Sequence, residues 1–458
     1  MITERLKKAL GVSKVLEGKA IAERYEHIWR METPLKAKAV LFPTSTEEVS
    51  TILKICYAYN QSVTVHGGLT NLVGGTYTHE NEIVISTEKL NKIEELDEVS
   101  RTITIQSGVI LSAVHQATKE KGLFFPLNFG AKGTAQIGGI ISTNAGGLRV
   151  FRYGMTRDLI LGLEVVLADG TIISSLKKII KDNSAYDLKQ LFIGSEGTFG
   201  IVTKAVLRLK EAPKSRNSAF VGLSSYKNVV DLLRFMDAGS AGTLSGFELI
   251  WSNTFEALTN KYSSVKPPMS YGYKYYVLLE TLGSEPEQDK ARLMDLLEEA
   301  IHKNLIQDAV FAESESDLKW FWTVREDARV LINQCTHVQI FDISLPVPLI
   351  EEKIDLIYNN LNELSEVENI FTFGHVADGN IHFLISKTNE SEALTHQINT
   401  IVYEPLQEIG GSISAEHGIG EDKKKYLPLS KSAEEIALMK LLKQTLDPKG
   451  ILNQRKIF

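Results

Sequence analysis

The sequence predicts an α+β protein with more than one domain. Short β-branched runs, such as Ile83–Ser86 and Thr102–Ile105, are followed by turn residues and indicate strands. Between such runs, apolar residues recur at helical spacing, as at Ile52, Ile55 and Tyr59. A chain of 458 residues exceeds what one hydrophobic core usually holds, and 43% of its residues are hydrophobic, which is enough to fill two cores.

The predicted elements form two α+β stretches separated by a polar segment at 211–217. Residues 1–34 are polar and are expected to form a helical leader outside the core. The other expected elements are strands at 39–43, 163–167 and 273–280, a helix that begins with a capping box at Thr46, and helices at 289–304 and 432–445. We therefore place the main domain boundary near residue 214.

Composition and charge exclude several classes of protein. The formal net charge is -7, and the longest basic run is Lys423-Lys424-Lys425, so a nucleic-acid partner is not expected. The two cysteines, Cys56 and Cys335, cannot make a disulfide framework or ligate an iron–sulfur cluster. No apolar run has the length of a secretory signal core or a membrane span. A cytoplasmic protein that does not span a membrane is expected.

Three glycine-rich segments predict a binding site for a large dinucleotide. They are 67–75, 133–147 and 194–200, and threonine, serine or asparagine residues are interleaved with the glycines. Glycines let successive backbone N–H groups converge on a phosphate, and Thr70 and Asn71 are expected to add side-chain donors. Each segment alone would more often be an ordinary tight turn. The fingerprints of Rossmann and P-loop proteins do not occur in the chain.

A histidine pair in the second stretch is a candidate metal site. Residues 371–383 contain two short apolar runs around Asp378-Gly379, which is a strong hairpin signal. If those two residues form the loop, His375 lies opposite His382, and the two imidazoles are close enough to share a metal ion. Paired histidines on strands also occur without a metal, where they stack or form hydrogen bonds.

Two further segments add candidate catalytic groups. Glu416 could supply a third metal ligand, and the adjacent His417 could act as a general base. Arg325, three residues after Trp322, is suited to holding a carboxylate. The alternatives are a solvated loop for Glu416-His417 and a helix-surface arginine paired to a neighbouring acid for Arg325.

Taken together, these segments resemble the vanillyl-alcohol-oxidase-type FAD oxidoreductases, and within them the D-lactate and D-2-hydroxyglutarate dehydrogenase group, whose members include glycolate oxidase FAD subunits. The resemblance covers nearly the whole chain. It is carried by the segments 67–75, 130–147, 187–197, 374–382 and 415–418. It implies a leader at 1–34, a two-subdomain FAD-binding domain at 35–214, a substrate (cap) domain at 215–405, and a segment at 406–458 that returns to the flavin.

The resemblance also assigns roles by position. His375, His382 and Glu416 match the ligands of one divalent metal (zinc, manganese or iron), His417 matches the general base, and Arg325 matches a substrate anchor. Leu69 stands where relatives with covalent flavin have a histidine, so noncovalent FAD is expected. The expected FAD contacts are His66, Gly67, Gly68, Leu69, Thr70, Asn71, Gly74, Gly75, Pro126, Gly133, Thr134, Gly138, Gly139, Ser142, Asn144, Gly147, Glu196, Gly197, Gly200, Ile201 and Asn453.

Two departures from the hydroxyglutarate-type pattern bear on the substrate. Ile340 stands where those members have a lysine, and Leu384 stands where they often have an asparagine. Because a distal carboxylate would lack both polar partners, D-lactate or a larger apolar D-2-hydroxy acid is favoured. D-2-hydroxyglutarate remains the alternative, with Arg329, one helical turn after Arg325, as a substitute partner.

The expected reaction turns the D-2-hydroxy acid into a 2-oxo acid and passes electrons from the flavin to an external acceptor, such as an electron-transfer flavoprotein or a quinone. A homodimer is left open. The rival classes are a metal hydrolase, a non-catalytic flavin-binding subunit and a flavin-dependent ether-lipid synthase.

Overall fold

A computed structural model describes residues 2–28, 33–260, 263 and 265–458. The strands are β1 (Val15–Leu16), β2 (Ala39–Leu41), β3 (Val63–His66), β4 (Ile83–Ser86), β5 (Ile93–Asp97), β6 (Thr102–Gln106), β7 (Leu123–Phe124), β8 (Ile160–Val166), β9 (Ile172–Ser175), β10 (Ile201–Arg208), β11 (Lys210–Glu211), β12 (Ser215–Leu223), β13 (Leu244–Trp251), β14 (Tyr275–Gly283), β15 (Asp308–Phe311), β16 (His337–Ser344), β17 (Val367–His375) and β18 (Asn380–Lys387).

The α-helices, between which several short 3-10 turns occur, are α1 (Ile2–Leu10), α2 (Thr46–Ala58), α3 (Leu111–Lys119), α4 (Ile137–Thr143), α5 (Val150–Tyr153), α6 (Lys189–Phe192), α7 (Tyr226–Gly239), α8 (Ser252–Thr259), α9 (Pro286–His302), α10 (Glu315–Glu326), α11 (Ala328–Ile332), α12 (Ile350–Asn362), α13 (Glu392–Glu408) and α14 (Ala433–Leu446). Among the described residues, no helix is both long enough and apolar enough to cross a bilayer.

The chain forms two compact units. Unit 1 comprises Met1–Gly147, Tyr153–Ala212 and Glu416–Phe458, and unit 2 comprises Leu148–Arg152 and Pro213–Ala415. The chain therefore enters unit 2 twice, first for five residues and then for the whole second α+β stretch. The α+β class predicted from the sequence is confirmed.

Unit 1 contains a four-stranded sheet in the order β1-β2-β4-β3 and a five-stranded antiparallel sheet in the order β5-β6-β10-β8-β9. In the first sheet β2, β4 and β3 run parallel. Helix α2 connects β2 to β3 and brings the chain back to the end of the sheet at which β2 begins. Ser45 caps α2 by accepting the N–H of Glu48, so the cap lies one residue before the predicted position.

The prediction of a helical leader at 1–34 is wrong for the residues that can be described. Helix α1 ends at Leu10, β1 pairs with β2, and Leu6 is fully buried in the core below the four-stranded sheet. The hydrophobic side of α1 recurs at Ile2, Leu6 and Leu10, which fits a core helix despite the polar composition. Residue 1 and residues 29–32 of the predicted leader lie outside the described residues.

Unit 2 is built on a seven-stranded sheet in the order β15-β12-β14-β13-β17-β18-β16. Helices α8, α10 and α11 cover one face and bury a cluster that includes Phe220, Phe255 and Phe321. Antiparallel pairs place directly opposed residues on the same face. Several polar side chains share that face with the apolar cluster, and they form the site described below.

Candidate active site

The three glycine-rich segments lie against one another in unit 1. A Cβ added to Gly68 would be 2.2 Å from the carbonyl oxygen of Thr134, so the first segment contacts the second with bare backbone. The N–H of Glu196, in the third segment, donates to the carbonyl of Ser142 in the second at 2.7 Å. The segments predicted to share one ligand therefore lie together.

Asn453 joins the C-terminal segment to this group. Its side-chain oxygen accepts the N–H of Val65 at 3.0 Å, and its side-chain N–H donates to the carbonyl of Glu196 at 2.6 Å. The backbone N–H of Asn453 also donates to the carbonyl of Val63. One asparagine thus fixes the strand before the first segment and the turn of the third.

The 67–75 loop is held in shape by its own side chains and by a lysine. The Asn71 side chain is an acceptor, which takes the N–H groups of Val73 at 2.9 Å and Gly75 at 2.6 Å. The predicted donor is the NH2 group at the other end of the same amide, and its role stays a prediction. The ammonium of Lys456 donates to the carbonyl of Gly74 at 2.9 Å. Leu69 lies in the left-handed region with φ 56°, a conformation that costs a leucine roughly 1–2 kcal/mol.

His66 is turned into the interior of unit 1. Its ring nitrogen Nε2 lies 2.8 Å from the carbonyl of Thr76, and the residue is 3% exposed. Burial lowers the pKa of His66 to about 4, and the hydrogen bond to the carbonyl offsets only part of that effect. A contact between His66 and a cofactor would therefore be made by its backbone.

The second segment presents bare backbone next to the first. Gly138 is packed against Ser107, whereas a Cβ on the next residue, Gly139, would meet no atom within 4 Å. The N–H of Gly139 lies 3.7 Å from the position of a Cβ on Gly67. Backbone amides flanked by open space in this way fit a phosphate-bearing ligand, so the residues of unit 1 fit FAD.

His375 and His382 lie close together in unit 2, but not in the predicted register. His375 pairs with Asn380, and His382 pairs with Phe373, so the connection has the four residues 376–379. The prediction that the two histidines face each other directly is therefore wrong. They are diagonal neighbours on the same face, and their ring centroids are 5.4 Å apart with the planes at 88°.

A buried glutamate that the sequence analysis did not single out joins two predicted site residues. Glu248, on β13, has a fully buried side chain. Its Oε1 lies 2.7 Å from Nδ1 of His375, and its Oε2 accepts Nε–H of Arg325 at 2.8 Å. Burial acts to raise the pKa of the Glu248 carboxyl. His375 and Arg325 together lower it by more than burial raises it, so the pKa lies below the ordinary value. The available signal was a lone acid within the apolar run 244–251.

Asp342 has the same relation to the second histidine. This fully buried carboxylate lies 3.6 Å from Nδ1 of His382. It also accepts side-chain N–H of Asn380 at 2.7 Å and the backbone N–H of Ala415 at 3.0 Å. A carboxylate beside Nδ1 of each histidine is the usual arrangement around metal-binding imidazoles, because it orients the ring so that Nε2 coordinates. Among the described residues, Asp342 and His382 belong to a group whose ligand atoms all lie within 4.8 Å of one another, and imidazole and carboxylate ligands of this kind fit a divalent metal.

Arg325 is buried, and Arg329 is not. Arg325 lies 4.6 Å above the ring of Phe373 and is 7% exposed. Its Nη2 is 2.7 Å from Glu248 but has no hydrogen-bond acceptor among the described residues. The side chain of Arg329 is 78% exposed and pairs with Asp327. Because α10 ends before Asp327, the prediction that Arg329 follows Arg325 by one turn of the same helix is wrong.

Ile340 and Leu384, the two departures from the hydroxyglutarate-type pattern, are directly opposed on β16 and β18. Leu384 is 3% exposed and belongs to the cluster with Phe373, against which Ile340 also packs. Asp342 and His382 are the next opposed pair on the same face. The apolar pair therefore neighbours the histidine site.

Glu416 and His417 open the last stretch of unit 1. The turn that follows them is held by Glu196, whose carboxylate accepts the N–H groups of Ile419 and Gly420. Burial raises the pKa of the Glu196 carboxyl, and these two N–H groups offset only part of that rise. Glu196 was predicted as an FAD contact, but its carboxylate binds this turn.

Comparison with known proteins identifies the family of both domains. Residues 37–175 match the family described as the FAD binding domain, and residues 212–457 match the C-terminal domain of FAD linked oxidases. A Schizosaccharomyces pombe protein provisionally named as a mitochondrial D-lactate dehydrogenase is 40% identical over 433 residues, which are 93% of this chain and 82% of that protein.

A mitochondrial D-2-hydroxyglutarate dehydrogenase of Arabidopsis thaliana is 38% identical over 451 residues, which are 98% of this chain and 80% of that protein. Among solved structures, alkyldihydroxyacetonephosphate synthase aligns with a TM-score of 0.77 at 17% identity, covering 99% of this chain and 85% of the other. At that identity the likeness concerns the fold alone.

The fold and the flavin segments define a two-domain FAD-binding oxidoreductase of the vanillyl-alcohol-oxidase type. The chain belongs to the FAD-linked oxidase family, in the group of the D-lactate and D-2-hydroxyglutarate dehydrogenases. It is an FAD-dependent D-2-hydroxy-acid dehydrogenase, so the hydrolase and non-catalytic alternatives are set aside.

Proposed function

We propose that the protein oxidises a small apolar D-2-hydroxy acid of the D-lactate type with the help of one divalent metal. The observation that carries the proposal is the buried group Arg325–Glu248–His375, in which one carboxylate fixes both a cation and an imidazole. A 2-hydroxy acid needs both, because its carboxylate requires an anchor and its hydroxyl must be activated beside it.

Arg325 binds the substrate carboxylate in this proposal. Its Nη2 is paired with Glu248 at 2.7 Å but forms no hydrogen bond of good geometry among the described residues, so its N–H groups can donate to a further acceptor. A carboxylate supplies that acceptor as a charge-assisted hydrogen bond. The face of Phe373 below the guanidinium holds the arginine in place, and Glu248 keeps its charge compensated.

His375, His382 and Glu416 hold the metal, and His417 takes the proton of the 2-hydroxyl group. When bound, a divalent ion supplies Lewis acidity that lowers the pKa of that hydroxyl. FAD, when bound, supplies an acceptor for the hydride that leaves the 2-carbon, which becomes the carbonyl carbon of the 2-oxo acid. The proton and the hydride together account for both electrons and both hydrogens removed.

The substrate class follows from the apolar pair. Ile340 and Leu384 offer a distal carboxylate no polar partner, and burying an unpaired carboxylate costs several kcal/mol. D-2-hydroxyglutarate is the second candidate, because a relative at 38% identity is named for it. In that case the exposed Arg329 would have to leave Asp327 to reach the substrate.

The decisive experiment is anaerobic flavin reduction followed by absorbance in a stopped-flow instrument. D-lactate and D-2-hydroxybutyrate are expected to bleach the flavin with higher kcat/KM than D-2-hydroxyglutarate, and the L-enantiomers are expected to be poor. His417→Ala should slow reduction by roughly a hundred- to ten-thousand-fold while FAD and metal remain bound. An unchanged rate in that variant would exclude His417 as the base.

The cofactors have tests of their own. FAD is proposed to be noncovalent because Leu69 cannot form a flavin bond, so acid precipitation should leave the yellow chromophore in solution. Activity of a protein shown by elemental analysis to be metal-free would exclude the metal. The electron acceptor is proposed to be external. A cytoplasmic location stays a prediction, since the two relatives are named as mitochondrial proteins.

A further inference from the structure

Glu196 occupies a backbone conformation that a glutamate rarely adopts. Its φ is 50°, in the left-handed region, where a residue with a Cβ pays roughly 1–2 kcal/mol. Its backbone is fixed on both sides: the N–H donates to Ser142 at 2.7 Å, and the carbonyl accepts from Asn453 at 2.6 Å. Strain of this kind at a buried residue points to a side chain that is needed where it lies.

The side chain of Glu196 binds two consecutive backbone N–H groups. Its Oε1 accepts from Ile419 at 2.7 Å, and its Oε2 accepts from Gly420 at 2.8 Å. These distances are short for N–H···O bonds, as expected when the acceptor carries a charge. Ile419 is the second residue after His417, so the carboxylate fixes the chain immediately beyond the proposed base.

The turn held by Glu196 has no room to move on either side. A Cβ on Gly418 would lie 2.9 Å from Oε1 of Glu196, and a Cβ on Gly420 would lie 2.0 Å from the carbonyl oxygen of Val73. Both glycines have positive φ, at 89° and 54°. The turn is therefore enclosed between Glu196 and the 67–75 loop, and both of these belong to segments that fit the dinucleotide.

We propose that Glu196 is a positioning residue for His417 and makes the orientation of the base depend on the flavin segments. Its backbone is part of the flavin-binding group of segments, and its carboxylate is the clamp on the 418–420 turn. The reaction rate depends strongly on the placement of the base, since a misplacement of about 1 Å can lower the rate roughly a hundred-fold. This inference rests on the proposed role of His417.

The chemistry requires a carboxylate and not merely a side chain of the same shape. An ionised carboxylate can accept both N–H groups, whereas the amide of a glutamine has one acceptor oxygen and one NH2 donor. Glu196→Gln would therefore place a donor against the N–H of Ile419 or Gly420. The turn must shift by enough to relieve that contact, and His417 shifts with it.

The test compares Glu196→Gln with a matched control in the same unit. Asp447 is 2% exposed, and its carboxylate also accepts two consecutive N–H groups, those of Ile451 at 3.0 Å and Leu452 at 2.8 Å. Asp447→Asn creates the same donor conflict away from His417 and also removes an ion pair with Lys443, so it is at least as disruptive to folding. Each variant is assayed for FAD content, bound metal and thermal stability, and flavin reduction by D-lactate is measured on the FAD-loaded protein.

We expect Glu196→Gln to slow flavin reduction by roughly ten- to a hundred-fold with little change in KM, FAD content or bound metal. Asp447→Asn should lower stability or FAD content and leave the reduction rate of the loaded enzyme within about three-fold, because its contacts lie at Ile451 and Leu452 and not at the turn after His417. Combined with His417→Ala, Glu196→Gln should add no more than about two-fold, since residues that act through one another are not additive.

A second measurement does not depend on activity. The amides of Ile419 and Gly420 should exchange slowly with deuterium in the wild-type protein and quickly in Glu196→Gln. Fast exchange in the wild type, an unchanged rate in Glu196→Gln, or a full additional loss in the His417→Ala background would each overturn the role of Glu196. If His417→Ala alone is fully active while the amides are protected, the proposed base is wrong but the clamp is real.

Discussion

The buried group Arg325–Glu248–His375 allows a sharp test, namely Glu248→Gln. Nδ1 of His375 must be the donor in the wild type, because an ionised carboxylate only accepts. In the neutral ring, Nε2 is then the nitrogen without a proton and can coordinate. In the variant, the amide can offer its oxygen to Arg325 or to His375, but not to both.

Both orientations of the amide in Glu248→Gln are unfavourable. If the NH2 group faces His375, Nδ1 becomes an acceptor and the proton moves to Nε2, where it blocks coordination. If the NH2 group faces Arg325, two donors meet in a fully buried place. Loss of an outer-shell partner lowers metal affinity by roughly 10–100-fold, equivalent to about 1.4–2.7 kcal/mol. Breaking the buried ion pair costs roughly 3–5 kcal/mol of folding stability.

The assay is a zinc or manganese titration against a competing chelator, with unfolding by denaturant in parallel. Glu280→Gln is the matched control, because Glu280 is equally buried on the same face of the sheet and binds Arg149 and Arg216 but no histidine. We expect both variants to lose stability and only Glu248→Gln to lose metal affinity. Wild-type metal affinity in a folded Glu248→Gln protein would refute the reasoning.

Two further predictions concern the substrate and pH. Ile340→Lys should raise kcat/KM for D-2-hydroxyglutarate relative to D-lactate by about ten-fold or more, since a paired distal charge recovers at least ~1.4 kcal/mol; an unchanged ratio would mean that the distal group lies elsewhere. The pKa of His66 falls from its ordinary value near 6.5 to about 4 on folding, so the unfolded chain binds the extra proton. The stability that results is complete above pH 6.5 and is lost as pH falls towards 4, by roughly 3 kcal/mol. Denaturant unfolding across this range should show the loss, and His66→Gln should reduce it.

The sequence was sufficient to predict that the three glycine segments lie together in one unit and that the two histidines lie together in the other, but not to fix the contacts within each group. Asp378-Gly379 indicated a hairpin, yet the connection includes Val376 and Ala377 in a 3-10 turn. The error did not separate the histidines, because diagonal neighbours two residues apart share a face. A change in the length of the hairpin connection thus alters the register of the two histidines but leaves them close together.

Glu248 and Asp342 were missed for a different reason. Their roles come from strands that are distant in the sequence, and no local pattern indicates which residue a buried carboxylate will meet. The polar residues 2–10 were misjudged similarly, since three apolar side chains at helical spacing are enough to bury a helix whose other faces are charged. A local sequence pattern indicates whether a segment forms a helix or a strand. The residues that this segment contacts depend on how the strands and helices are arranged in the fold.

The return of the C-terminal segment to unit 1 has a consequence for biosynthesis. Val63 and Val65 receive hydrogen-bond partners from Ile451 and Asn453, which leave the ribosome only after all of unit 2. The 213–415 portion of unit 2 is continuous in the chain and can fold while translation proceeds, as domains generally do. Until Ile451 and Asn453 have been synthesised, the edge strand β3 lacks these hydrogen-bond partners, and its N–H and C=O groups are exposed to other chains. The nascent protein is therefore expected to depend on chaperones, or on free FAD, until residues 451–453 have been synthesised and can bind β3.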